Sequence, residues 1–61
     1  MRVIDIVKKY FDKIGYRHSS SELMRATTCV IKIHDEFKDF SIWEITQMLY
    51  PEEEFGGNYG E

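Results

Sequence analysis

The chain has 61 residues, 43% of them hydrophobic and 15% aromatic, which makes one domain at most and a core that is marginal unless a second chain supplements it. Cys29 is the only cysteine; this excludes an intrachain disulfide and points to a reducing, cytoplasmic setting, while one Cys with His18 and His34 is too few for a Cys/His zinc site. The net charge of −3 is unevenly spread: residues 1–34 carry seven basic and three acidic side chains (+4), and residues 35–61 carry one basic and eight acidic ones (−7).

At the N-terminus, charged residues interrupt the apolar ones every two or three positions, which excludes a signal peptide or a membrane span there. Ile4, Val7, Phe11 and Ile14 fall at spacings of three, four and three, with Val3 and Tyr10 on one flank. That is the period of a helix with one buried face. The opposite face carries Arg2, Asp5, Lys8, Lys9, Asp12 and Lys13, with Asp5–Lys9 and Lys8–Asp12 at i,i+4 distance. Gly15 follows where a left-handed C-terminal cap belongs. The first helix is predicted over 2–14.

Ser19-Ser20-Ser21-Glu22 reads as a capping box, in which a serine oxygen accepts from a free backbone amide and Glu22 reaches back. Leu23, Ala26, Val30, Ile33 and Phe37 continue as one seam, with Met24 and Ile31 beside it. Thr27-Thr28-Cys29-Val30-Ile31 is rich in β-branched residues, which favour strands. A lone strand there has nothing to pair with, so the helical period decides, and the second helix is predicted over 20–37.

Phe40-Ser41-Ile42-Trp43-Glu44-Ile45 is the strongest local signature: Ser41 and Glu44 form a capping box, and Phe40 can close on Ile45 as a hydrophobic staple. Ile42, Ile45, Met48 and Leu49 form the expected buried face, with Trp43 and Tyr50 on its flank, and Pro51 stops the helix. The third helix is predicted over 42–50. The remainder, PEEEFGGNYGE, has too little apolar area to offset ordering its backbone. The expected fold is therefore all-α: an up-down-up three-helix bundle over residues 1–50, with a flexible acidic tail over 51–61. Phe55 and Tyr59 are the residues of that tail able to dock, on this chain or on another.

Few residues suggest chemistry. His34, Asp35 and Glu36 are adjacent in sequence and diverge by about 100° per residue on a helix, so they do not converge on an ion. His18 with Ser19–Ser21 lacks an orienting third group and a visible oxyanion hole, and helix capping accounts for the serines. Cys29 lies in mid-helix, away from any N-terminus that would activate it, and is expected to be a small packing residue. No catalytic, cofactor or metal site is expected. Phe11, Phe37 and Phe40 lie on the seams and are expected inside a core that can enclose roughly a dozen side chains. Trp and Tyr are the types enriched at binding hot spots, which makes Trp43, Tyr50, Glu52, Glu53, Glu54 and Phe55 the expected protein-contact residues.

The basic first half offers a nucleic-acid alternative through Arg2, Lys8, Lys9 and Arg17. Ser41-Ile42-Trp43-Glu44-Ile45 resembles the opening helix of a helix-turn-helix, a family that then needs a recognition helix where Pro51 and the acidic tail stand here. Ser21-Glu22-Leu23-Met24-Arg25-Ala26, following Gly15, is similar to the second helix of ribbon-helix-helix repressors. That resemblance implies that Arg2-Val3-Ile4-Asp5-Ile6 is a groove-reading strand, although these residues fit the helical seam, and the Gly-to-Ser spacing is longer than in that family. The functional expectation is a small non-enzymatic regulator or inhibitor that binds a protein partner and self-associates. Its size and charge style are those of compact accessory proteins of phages or mobile elements. A small dimeric DNA-binding repressor is the alternative.

Overall fold

The seam read from the first helix becomes the centre of the molecule. In the computed structural model, which describes residues 1–57, α1 spans Val3–Ile14 and buries Val7, Tyr10, Phe11 and Ile14. Gly15 ends it at φ 79°, where the Tyr16 amide donates to the Phe11 carbonyl (2.9 Å) and the Gly15 amide to that of Asp12 (3.3 Å). This paired arrangement satisfies two carbonyls that the last turn would otherwise leave open. On the outer face Lys8 pairs with Asp12 at 3.3 Å as its spacing predicts, whereas Asp5 pairs with Arg2 at 3.6 Å and not with Lys9.

Ser19 is the N-cap of α2 (Ser20–Glu36), accepting from the Glu22 amide at 3.1 Å. The reciprocal half of the predicted box is missing, because the Glu22 carboxylate accepts from the Tyr16 hydroxyl instead. The β-branched stretch is helical throughout. Its threonines are accommodated locally: Thr27 donates to the Leu23 carbonyl (2.8 Å) and Thr28 to that of Met24 (3.0 Å). Leu23, Ala26, Thr27 and Val30 face inward. Cys29, about 100° round the helix from Val30, is exposed, which corrects its expected packing role.

α3 (Ile42–Leu49) opens on the complete capping box, with Glu44 N–H to Ser41 Oγ at 3.1 Å and Ser41 N–H to Glu44 Oε1 at 2.9 Å. Its buried residues are Ile45 and Thr46, flanked by half-buried Ile42 and Leu49. Positions i, i+3, i+4 and i+7 thus make the face, and Thr46 takes the place expected of Met48, which is 56% exposed. The Thr46 hydroxyl donates to the Ile42 carbonyl at 2.8 Å, so its burial leaves no polar atom open.

The three helices pack pairwise on one another. The core comprises Val7, Tyr10, Phe11, Ile14, Leu23, Ala26, Val30 and Ile45. Phe37 (53% exposed) and Phe40 (43%) lie outside it, against expectation. Both follow the last turn of α2, whose 17 residues make it about 7 Å longer than the 12-residue α1 at 1.5 Å per residue. Ile33, in that last turn, still packs against the core, whereas the connection after it carries both phenylalanines into solvent.

Part of the segment expected to be a flexible tail is folded. After Pro51, Glu52–Phe55 form a single helical turn, α4. Its glutamates sit where the positive end of the helix dipole favours them. Gly57 N–H donates to the Ile14 carbonyl at 3.0 Å, and Phe55 packs against the core. One aromatic side chain thus supplies the apolar area that the segment otherwise lacks. Tyr59 and the rest of the expected tail, 58–61, lie outside the described residues.

Candidate functional site: an aromatic cluster, an acidic turn and exposed apolar side chains

The ends of α1 and α3 converge on Phe11, which is fully buried. Its ring centre lies 5.0 Å from that of Tyr16, 4.9 Å from Tyr50 and 5.0 Å from His18. The first two contacts are edge-to-face, the geometry aromatic quadrupoles favour. Phe55 extends the cluster with edge-to-face contacts to Tyr50 (4.9 Å) and Tyr16 (5.4 Å). Trp43 packs edge-on against Tyr10 at 5.2 Å. The Tyr10 hydroxyl crosses to α3 and donates to the Tyr50 carbonyl at 2.7 Å, a carbonyl freed by the end of that helix.

Three tyrosines in this cluster hold their protons more tightly than a free phenol. Tyr16 is pushed up to about 12, first by its hydrogen bond to the Glu22 carboxylate and then by burial. Burial raises Tyr10, with the charges of Glu52 and Glu53 adding to it, and burial likewise raises Tyr50. His18 is occupied by the loop it sits in, its Nδ1 bonding the Tyr16 carbonyl at 3.1 Å, so that this nitrogen carries the proton. Ser19 caps α2, and Ser21 Oγ lies 3.5 Å from Ser19 Oγ.

Of the expected protein-contact residues, the structure brings Tyr50 and Phe55 together and sets Trp43 beside Tyr10, each half-buried in contacts within the chain. Glu52, Glu53 and Glu54 stand exposed on α4. The large apolar side chains that remain open lie elsewhere. Met24 (62% exposed) and Ile31 sit on α2, Phe37 and Phe40 after it, and Met48 on α3. Met24 and Ile31 are seven residues apart and so share a helix face. That second stripe beside the main seam was the signal available in the sequence for this surface.

The residues of the nucleic-acid alternative lie at the start of α1, along it and in the connection after it. Arg2 and Lys8 are paired with Asp5 and Asp12, and Lys9 and Arg17 are exposed. Residues 3–6, which the ribbon-helix-helix resemblance would make a strand, form the first turn of α1. The helix-turn-helix resemblance fails at α4, whose four residues and three glutamates are too short and too acidic to read a groove. Among the described residues no group of three or more His, Cys, Asp or Glu side chains is placed to hold a metal ion, and no helix is long and apolar enough to cross a membrane.

No protein-family model, curated protein or solved structure matches this chain.

Proposed function

We propose that the protein is a small non-enzymatic regulator or inhibitor that acts by binding another protein, in a cytoplasmic setting, through exposed apolar side chains and an acidic turn. The observation that carries this reading is the open set Met24, Ile31, Phe37, Phe40 and Met48 on a chain whose own core is built from other side chains. Isolated apolar residues on a surface are ordinary; here, among the described residues 1–57, five large ones stand open besides the terminal Met1. Methionine suits such a surface, since its flexible, polarisable side chain adapts to a partner. Glu52, Glu53 and Glu54 add a negative edge that favours a basic rim on that partner and speeds encounter. Self-association through the α2 stripe belongs to the same proposal, because a second copy covers the same side chains.

Affinity capture from the native host tests it. The wild-type chain is expected to retain one dominant protein, Met24→Lys with Ile31→Lys to lose it, and Glu52→Lys with Glu53→Lys to retain it more weakly. Retention undiminished by both pairs of substitutions counts against the surface. Binding of duplex DNA that falls steeply with salt and disappears on charge reversal at Lys8 and Lys9 replaces the reading with the repressor one.

A further inference from the structure

The C-terminal turn lies against the most aromatic part of the molecule, yet it is joined there by few and closely grouped contacts. α4 has no fully buried residue and no side-chain N-cap. Among the described aromatic rings, Phe55 meets only those of Tyr16 and Tyr50, both edge-to-face. Gly57 N–H donates to the carbonyl of Ile14, one of the last-turn carbonyls of α1 that the helix itself leaves open. Gly56 comes so near that a Cβ on it would lie 2.4 Å from that oxygen and 3.0 Å from the Ile14 Cβ. All of these contacts fall on the C-terminus of α1, the Tyr16 that follows it and the end of α3. Glu52, Glu53 and Glu54 face solvent, three like charges in succession.

A fourth bundle helix would share the seams of the other three; this segment touches one corner. We infer that Pro51–Gly57 is a reversible latch, docked by Phe55 and by the approach of Gly56 and Gly57 to Ile14, which opens while the three-helix bundle stays folded. Opening frees Phe55 and uncovers the faces of Tyr16 and Tyr50 against which it rests. The bundle does not depend on the latch: the Gly15 cap, the two serine caps and the buried seams lie outside it. The latch in turn does not depend on the identity of any partner, so it stands apart from the protein-binding proposal.

Amide hydrogen exchange on the full chain, read by NMR, tests the inference. In the wild type the Gly57 amide is expected to exchange more slowly than in a free peptide, yet at least about 10-fold faster than the Phe11 and Val30 amides, as local opening requires. Gly56→Ala forces the Ile14 carbonyl away, and is expected to speed Gly57 exchange to near the free-peptide rate while Phe11 and Val30 change by less than about threefold. Phe55→Ala, which leaves the backbone approach intact, is expected to give the same pattern. Three results overturn the latch. These are wild-type exchange of Gly57 in step with the core or at the free-peptide rate, acceleration of Phe11 and Val30 together with Gly57 in both variants, and no acceleration of Gly57 in either.

Discussion

Tyr16 shows how much a single side chain can hold in a chain this small. Its ring closes one side of Phe11, its hydroxyl donates to Glu22, and its other edge receives Phe55. In the sequence it sits in a connection between two helices, with nothing to mark it as more than a loop residue. Its hydrogen bond stabilises the protonated phenol, so its pKa lies at about 12 in the folded state against an ordinary value of 10.0. The unfolded chain therefore loses this proton first as pH rises. The stabilisation from Tyr16 is complete below pH 10 and is withdrawn as pH climbs towards 12. Tyr10 and Tyr50 shift in the same direction and act in the same alkaline range. Tyr16→Phe is accordingly expected to be less stable than wild type at neutral pH, and to lose less of its remaining stability on passing into that range. Urea midpoints on both sides of pH 10, with the near-ultraviolet tyrosinate band as the titration readout, check it. A wild-type midpoint that does not fall above pH 10 contradicts the assigned proton linkage.

At the scale of elements, the helix ends carry most of what could be read in advance. Ser41 and Glu44 satisfy each other's backbone amides at the start of an eight-residue helix, which is too short to persist in isolation. Ser41→Ala is expected to cost about 1 kcal/mol, and Gly15→Ala roughly 1–2 kcal/mol because Gly15 holds a left-handed backbone. Both appear as shifts of the denaturation midpoint with the slope unchanged. Equal, negligible shifts would mean that these caps do not set the ends of α1 and α3. The Ser19 cap differs, since its Glu22 serves Tyr16 and not the Ser19 amide. The local motif was legible there, but the competing phenol arrives through the fold of the loop and was not. The same holds for α3, where the apolar pattern pointed to Met48; Thr46 is buried in its stead, and its hydroxyl bonds back into its own helix.

For the whole molecule, the decisive quantity is the apolar surface left over after three narrow seams have met. Phe11 and Val7 are fully buried, while α2 leaves Met24 and Ile31 exposed on a face beside its seam, and Phe37 stands exposed after it. Light scattering is expected to give about twice the 7.3 kDa chain mass at high concentration, in line with the tendency of such small domains to complete themselves by association. Met24→Lys with Ile31→Lys is expected to return the mass to that of one chain and to change folding stability by less than about 1 kcal/mol, as exposed positions do. A dimer that survives both substitutions places its interface elsewhere.

The apolar spacing predicted three helices, over 2–14, 20–37 and 42–50, within a residue of those observed at each end, and most of their inward faces, because burial of one stripe per helix is a local periodic property. The caps at Gly15, Ser19 and Ser41 were likewise local, each fixed by a few neighbouring atoms. Which flank of each helix stayed wet was decided only in three dimensions. Cys29, Phe37 and Met48 are apolar enough to be core, and Phe55 is embedded among glutamates and glycines. Their burial depends on where a neighbouring helix ends and on whether another ring stands opposite, distances that no window of sequence contains.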